Sequence, residues 1–385
     1  MKTKMNVQYN LTNVYSTHRN YVNKIKLTLI SAFLTVSCSK NTEKQIPADH
    51  YNWSAGISAP KFYPASNILV KFNQGGATAS VLTGIDPGWG DTAGNFITGD
   101  KYKVLPENVY IHYSSGENNF IYEGVLQLPK KKIFSLFNER SRIKHKIDNK
   151  AKKLDNSNFQ LIVGMAPKGW IKIWFEGNGD FDKVEILKAQ LKGRYDSTAN
   201  DEYQLRNFKN WGKYYTYWQH HGTPAKAWAN NEKEYYYDIK FVTQNKDAKL
   251  DRSYVVSADG WYSSFYTEKL SEDINDFSNN GSKGKIPVHL SVSWQDKSTG
   301  TYYDTNIVMP ETLKRLFDET YQANEKFAYS NFIIELEKDK QHAVVYLKTK
   351  DKIIKLLRFK GEISSKDNQD FGDYAYAKEI EYFIP

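Results

Sequence analysis

The sequence predicts an α+β protein that is mainly β, with two related antiparallel-sheet modules that each pack one amphipathic helix. Two observations lead to this fold class. The segment from Leu105 to Glu139 recurs from Ile286 to Glu319, with the same order of strand, turn, strand, proline and helix patterns. Aromatic residues make up 15% of the chain, which suits strands better than helices. At 385 residues, the chain is long enough for two modules with cores of their own.

The repeat preserves the spacing of its prolines. Pro106 and Pro129 lie 23 positions apart, as do Pro287 and Pro310, and the offset between the copies is 181. At that offset, apolar residues of the first copy fall on apolar residues of the second: Val109, Ile111, Tyr113, Tyr122, Leu126 and Leu128 on Leu290, Val292, Trp294, Tyr303, Ile307 and Met309. We therefore expect an internal duplication.

Each copy predicts a β-hairpin followed by a helix. The apolar residues from Val109 to Tyr113 alternate with polar ones, which is the period of a half-buried strand. A polar turn at Ser114–Asn119 leads into the returning strand, which ends at Leu128. Pro129 suits the first position of a helix, where its missing N–H is not needed. Apolar residues then recur at helical spacing, at Ile133, Leu136, Phe137, Ile143 and Ile147, and in the second copy at Leu313, Leu316, Phe317 and Tyr321.

These patterns divide the chain into five parts. We predict a lipoprotein signal peptide over residues 1–37, a polar tether over 38–50, a first β-rich module over 51–195 and a second over 233–385. The segment between them, 196–232, is rich in tryptophan and tyrosine. It is therefore predicted to pack between the modules instead of forming a free linker.

The N-terminal segment indicates export. Two lysines precede the apolar run Leu27–Val36, which has the length of a signal-peptide core and is too short to cross a bilayer. Ser37 and Cys38, the only cysteine of the chain, follow this run, and the segment Leu34–Cys38 resembles a bacterial lipobox, although Thr35 departs from the usual Leu or Val. We predict lipid attachment at Cys38, with a plain secretory signal or an apolar segment with a free cysteine as alternatives. No acidic cluster follows Cys38, which favours the periplasmic face of the outer membrane over the cell surface.

The charge of the chain does not indicate nucleic-acid binding. The formal net charge is +9, but five unbalanced basic residues lie before Cys38. About four positive charges remain for the rest of the chain, which is ordinary for a protein of this size. We expect a membrane contact through the lipid, together with a protein or glycan partner, and no nucleic acid.

Several motifs resemble a known family. They are the opening WSAGISAPKFYP at Trp53–Pro64, the turn Gly88-Trp89-Gly90, the proline-bounded hairpin and the APKGW turn at Ala166–Trp170. This combination is similar to that of the bacterial lipoproteins grouped as domain of unknown function 2931, which are common in Bacteroidetes. The resemblance implies no established activity. Some relatives are thought to protect the periplasm against secreted antibacterial toxins, so the resemblance implies an immunity-type role.

No established catalytic motif is found in the sequence: GxSxG, a Walker loop, HExxH and paired CxxC are all missing. We therefore predict a protein without cofactor or enzymatic activity. Four weaker candidates are each set against a structural explanation. His220-His221 is better explained as a solvated pair in a loop than as a metal site. His112 is better explained as a surface residue of a strand than as part of an acid–base set with Glu117 and Glu123. Asp180 and Asp182 are better explained by a simple turn than by a calcium site. The basic residues from Lys130 to Lys153 suit a solvated helix face better than a lipid-binding one.

The candidate ligand-binding residues are Trp89, Trp170 and Trp174. Indole rings can stack on sugars, but aromatic residues on alternating strands more often lie in a core. Trp89 and Trp170 fall in predicted turns, so we expect these two to be the more exposed. The sequence thus favours a lipid-anchored envelope protein that binds another protein, with a glycan-binding envelope component as the alternative.

Overall fold

The computed structural model describes residues 49–147, 159–177, 183–197, 212–251, 253–265, 274, 282–322, 329–364 and 375–384. Residues 46–385 form one compact unit. The predicted signal peptide, Cys38, the Asp180/Asp182 pair and the side chains of the basic helix after Arg140 lie outside the described residues. No helix within the described ranges has the length and apolar character needed to cross a membrane.

The first half of this unit is a two-layer β structure. Its described strands are β1 (His50–Ser58), β2 (Ala65–Phe72), β3 (Thr78–Val81), β4 (Asn95–Phe96), β5 (Tyr102–Val104), β6 (Asn108–Ser115), β7 (Phe120–Gln127), β8 (Phe159–Met165), β9 (Trp170–Glu176), β10 (Val184–Gln190) and β11 (Gly193–Tyr195). One sheet has the order β10-β9-β8-β1-β4, with β5 paired to β1, and the other has the order β11-β7-β6-β2-β3. Helix α1 (Lys130–Ile147) begins one residue after Pro129, the position predicted as its first residue.

The second half follows two short helices, α2 (Lys213–His221) and α3 (Ala225–Ala229), that lie in the connecting segment. Its described elements are β12 (Glu234–Thr243), β13 (Ala248–Leu250), β14 (Ser253–Ser257), β15 (Tyr262–Phe265), β16 (Ser282–Lys285), β17 (Pro287–Asp296), β18 (Tyr302–Val308), α4 (Leu313–Gln322), β19 (Tyr329–Leu336), β20 (His342–Lys348), β21 (Ile353–Lys360), β22 (Ile363–Ser364) and β23 (Ile380–Tyr382). The sheets have the orders β16-β12-β19-β20-β21-β23 and β15-β14-β17-β18-β22, with β13 paired to β17.

The two halves repeat one strand order. The order β4-β1-β8-β9-β10 of the first half corresponds to β16-β12-β19-β20-β21 of the second, and β3-β2-β6-β7-β11 corresponds to β15-β14-β17-β18-β22. The mainly β, α+β fold class is confirmed. Each half has two mainly antiparallel sheets, and in one sheet of each half two strands, β1 with β8 and β12 with β19, pair in parallel. In both pairs, six strands and a helix lie between the two strands in the chain, which gives the long connection that parallel strands need.

Specific contacts recur as well. Tyr113 stacks on Tyr122 across the β6–β7 hairpin, with ring centroids 5.1 Å apart, and Trp294 stacks on Tyr303 across β17–β18 at 5.0 Å. A glycine packs against each ring pair: Gly193, the first residue of β11, in the first half, and Gly361, directly after β21, in the second. A Cβ at either position would lie 2.5–2.6 Å from a ring atom.

The helices are held in the same way in both halves. On α1, Phe137 contacts Tyr51 edge-on, and the Tyr51 hydroxyl donates to Asn138 at 3.0 Å. The equivalent Tyr235 contacts the ring of Phe317 on α4 and donates to the Asp318 carboxylate at 2.6 Å. The shared strand order and these paired contacts support a duplication, which itself stays a prediction.

Candidate functional site at the junction of the two halves

The described part of the connecting segment, residues 212–232, packs against residues of both halves. Its helices α2 and α3 contribute three large buried side chains, Tyr217, Trp218 and Trp228, each at most 2% exposed. These three belong to one apolar cluster with residues of both halves: Phe62, Tyr63, Trp89, Ile162, Ala166, Trp174 and Val256. We call this set, with the polar groups that line it, the junction.

Hydrogen bonds from aromatic side chains hold the parts of the junction together. The Trp218 indole N–H donates to the Phe62 carbonyl at 2.7 Å, and the Tyr63 hydroxyl donates to the Gly222 carbonyl after α2. Trp228 bridges the halves, since its ring contacts Tyr63 edge-on at 5.1 Å and its N–H donates to the Asp259 carbonyl at 3.0 Å. A buried indole or phenol needs such a partner, so these bonds specify one arrangement.

The turn between β14 and β15 forms hydrogen bonds with the first half. The Gly260 carbonyl accepts from the Lys61 amide at 2.9 Å and from the Trp89 amide at 2.8 Å. Gly260 has a φ of +79°, and a Cβ there would lie 2.4 Å from Pro60, so both the backbone and the space require glycine. The opening motif and the Gly88-Trp89-Gly90 turn are thus joined to the second half.

A buried carboxylate lies under the same turn. Asp259 is fully buried and accepts from the Ser257 hydroxyl at 2.6 Å and the Trp261 amide at 3.1 Å. The ammonium group of Lys285 forms an ion pair with it. A buried carboxylate needs such donors to offset its desolvation, so these contacts stabilise the turn.

The structure corrects the expected exposure of Trp89. Its side chain is 2% exposed and meets Trp174, itself 9% exposed, edge-on with centroids 5.1 Å apart. The two rings pack against each other and against Gly164, where a Cβ would lie within 3 Å of both. Trp170 is half-buried against the same cluster. The three candidate tryptophans therefore come together, but Trp89 offers no face for stacking on a sugar.

Histidines form the polar end of the junction. His220 and His221 end helix α2, which is a correction to the predicted solvated loop pair. His221 Nε2 lies 3.3 Å from Nδ1 of His289 on β17, a fully buried residue. The Tyr376 hydroxyl lies 3.5 Å from the same Nδ1, and the Tyr376 ring stacks on His220 with centroids 3.6 Å apart.

Burial keeps both histidine rings neutral. Desolvation, with a smaller contribution from His220, lowers the pKa of His221 to about 3. Desolvation lowers the pKa of His289 well below its usual value, and the neighbouring His221 adds to this effect. The sequence could not show this cluster, since His289 and Tyr376 lie 68 and more positions from α2 and follow no motif.

Of the other candidates, Glu117 accepts a hydrogen bond from the Thr223 hydroxyl, between α2 and α3, at 2.6 Å. His112 is half-buried on β6, and its Nδ1 lies 3.7 Å from Glu123, which also accepts from Tyr110 at 2.6 Å. A second group, Glu337, Asp339 and His342, brings three ligand atoms within 4.8 Å of one another. Its carboxylates are already engaged, Glu337 with both arms of Arg358 at 2.7 and 2.9 Å and Asp339 with the ring and backbone of His342.

Comparisons with known proteins identify a family for the first half. Residues 37–225 match the family model described as "Protein of unknown function (DUF2931)". These residues belong to that family. The match includes the first half, helix α2 and the turn after it, whereas the second half lies beyond the match. Comparisons with curated proteins and with solved structures gave no significant match.

The family match assigns the junction motifs to the DUF2931 domain. Phe62 and Tyr63 of its opening motif, Trp89 of its second motif and Trp218 of α2 all pack in the junction cluster. In this chain, the aromatic residues of the domain form a buried interface with a structurally similar second half. This arrangement can hold the two halves in a fixed orientation.

Proposed function

We propose that this protein is a lipid-anchored component of the bacterial cell envelope that binds another protein and catalyses no reaction. Lipid attachment at Cys38 would place the chain on the outer membrane facing the periplasm. The family resemblance points to a secreted antibacterial toxin as the class of partner, which makes the role an immunity-type one.

One structural observation carries the protein-binding part of the proposal. Leu82 and Ile97 are 79% and 77% exposed, more than any other large hydrophobic side chain in the described ranges. Leu82 directly follows β3, the edge of one sheet, and Ile97 directly follows β4, the edge of the other. A hydrogen bond from the Thr78 amide of β3 to the hydroxyl of Thr98, the residue after Ile97, joins the two edges. We call these two residues and the strands β3 and β4 the edge surface.

The edge surface is ordered, so its exposed side chains are not the result of a loose loop. The Thr98 hydroxyl accepts from the Thr78 amide at 2.8 Å and lies 3.1 Å from the Gly76 carbonyl, which joins the two edges. The Leu82 carbonyl accepts from the Asn67 amide at 3.1 Å. Exposed apolar residues beside strand edges are typical of sites where a partner adds its own chain or packs an apolar surface.

Because the aromatic motifs of the domain are buried in the junction, a partner must bind on an outer surface. In the second half, the strand that corresponds to β4 is β16. It reads Ser-Lys-Gly-Lys and therefore has no large apolar side chain. Ile363, the first residue of β22, is also an apolar residue with a high exposed fraction, 74%, and provides a matched control.

Site-specific photo-crosslinking in the bacterium tests the proposal. A photo-crosslinking residue at position 82 should give a discrete adduct with one envelope or toxin protein, and the same residue at position 363 should not. Ile97→Ser should reduce the adduct at position 82 at least several-fold while circular dichroism shows an unchanged fold. Equal adduct patterns at both positions, or an adduct that Ile97→Ser leaves unchanged, would contradict binding at the edge surface.

A further inference from the structure

The first described residues of the chain lie beside helix α1. Asp49 is the first of them, and β1 starts at the next residue. Tyr51 packs edge-on against Phe134 of α1, with ring centroids 6.4 Å apart. A hydrogen bond with His50 lowers the pKa of Asp49, and the charge of the nearby Lys130 makes a smaller contribution to this effect. The N-terminal end of the described structure therefore lies at the start of α1.

The length of chain before Asp49 limits which surface can reach a membrane. Cys38, the proposed site of lipid attachment, and Asp49 are 11 positions apart. A chain of this length spans at most about 40 Å, even when it is fully extended. A compact unit of the size of residues 46–385 is about 50 Å across. The side opposite Asp49 therefore cannot reach the bilayer, whereas the start of α1 lies within reach of it.

The start of α1 is basic and exposed. The helix sequence KKKIFSLFNERSRIKHKI has seven lysines and arginines and one glutamate. Its first three residues, Lys130, Lys131 and Lys132, are all exposed. Glu107 pairs with Lys130 at 2.7 Å, whereas Lys132 donates to the uncharged carbonyl of Glu185 at 2.7 Å. Positive charge is therefore left at the start of the helix, and a negatively charged bilayer attracts such charge within about 8–10 Å.

An exposed aromatic ring accompanies these lysines. Phe134 is 44% exposed, although Ile133 and Phe137 on the same helix are fully buried in the core. Lysines beside an exposed phenylalanine are typical of segments that lie on a membrane surface, where the ring reaches the boundary between headgroups and acyl chains. The sequence pattern alone fits a solvated helix face better, but the position of the helix beside the start of the described structure favours a membrane contact.

We propose that Lys130, Lys131, Lys132 and Phe134, which we call the α1 surface, bind the negatively charged surface of the bilayer that holds the lipid anchor. This inference rests on the lipid attachment proposed for Cys38. A lipid alone lets the protein rotate above the bilayer, whereas a second contact at the α1 surface would give it one orientation. Because the attraction is electrostatic, salt and the loss of anionic lipid would both weaken the contact.

Fluorescence quenching in vesicles tests the α1 surface. Cys38 is the only cysteine of the chain, and in the anchored protein its sulfur carries the lipid, so Ser135→Cys provides a single thiol for a fluorescent probe one turn after Lys131. The lipidated protein is incorporated into vesicles of phosphatidylcholine, with or without phosphatidylglycerol, that contain a nitroxide-labelled lipid as quencher. Ser282→Cys, at an exposed serine of the second half, is the matched control. With phosphatidylglycerol, quenching at position 135 should exceed that at position 282 several-fold, and without it the two should be similar.

A charge reversal separates electrostatic binding from mere proximity to the bilayer. Lys131→Glu should lower the quenching at position 135 by about twofold or more, since each lysine near an anionic surface adds to the attraction. Lys350→Glu, at an exposed lysine of the second half, should leave it unchanged. If the protein floats with the vesicles but quenching at position 135 responds neither to phosphatidylglycerol nor to Lys131→Glu, the α1 surface alone is refuted. A protein that floats with neither kind of vesicle would refute the anchor and the α1 surface together.

Discussion

Removing the Trp228 side chain should cost about 3–5 kcal/mol of unfolding free energy. Trp228 is fully buried, contacts Tyr63 from the first half and donates to the Asp259 carbonyl in the second. Trp228→Ala leaves a large cavity and an unpaired carbonyl, and core substitutions of this kind cost about 3–5 kcal/mol. Since proteins are stable by only about 5–15 kcal/mol, this loss is a large share of the total.

Urea unfolding followed by fluorescence and circular dichroism measures the effect. Trp228→Phe keeps most of the ring and loses the N–H donor, so a smaller loss of about 1–2 kcal/mol is expected. Tyr195→Ala, which removes a side chain that is 66% exposed, should change stability by less than about 0.5 kcal/mol. If Trp228→Ala lies within about 1 kcal/mol of wild type, the junction does not hold the halves together as described.

Three further predictions concern the second half. Gly361→Ala would place a Cβ 2.6 Å from the fully buried ring of Trp294, so a loss of about 1–3 kcal/mol is expected in urea unfolding, and an unchanged midpoint would contradict the close packing. Tyr235→Phe removes a hydrogen bond to a carboxylate on α4 and should cost more than Tyr51→Phe, whose hydroxyl donates to an amide, by about 0.5–1 kcal/mol in the same assay. A hydrogen bond from the Ser298 side chain is the main cause that lowers the pKa of Asp296, so the carboxylate stabilises the fold above pH 3.8 and loses this effect as the pH falls further. Asp296→Asn should therefore show a smaller drop in melting temperature between pH 5 and pH 2 than wild type. Parallel curves of melting temperature against pH would contradict this.

The repeated hairpin and helix could be predicted because their signals are local. The alternation at Val109, Ile111 and Tyr113 places all three in the core, and the helical spacing of Ile133 and Phe137 does the same. Period and turn chemistry within about ten residues decide these elements. Because the spacing of the prolines is repeated, the same prediction applies to the second half.

The parallel strand pairs could not be predicted in this way. β1 pairs with β8 more than 100 positions later, and its residues from Trp53 to Ser58 are buried on both faces. A strand buried on both sides loses the alternation that reveals its orientation and its neighbours. The division of each half into two sheets follows from these long-range pairings.

The junction was predicted only in outline. The aromatic composition of residues 196–232 predicts packing between the halves, and Tyr217, Trp218 and Trp228 do pack against both. The partners of each ring, however, depend on tertiary contacts. Trp89 lies in a glycine-rich turn, which usually indicates exposure, yet the second half covers that turn through Gly260. The sequence predicts a loop at His221 because a nine-residue helix between two glycine caps has weak sequence signals.

The lipid anchor at Cys38 is the claim on which the proposed function depends most. Metabolic labelling with a palmitate analogue, followed by membrane fractionation, tests it directly in wild type and in Cys38→Ala. We expect label on the wild-type protein in the membrane fraction, and an unlabelled Cys38→Ala variant in the soluble fraction. An unlabelled wild-type protein, or equal labelling of the variant, would contradict the anchor and with it the envelope function.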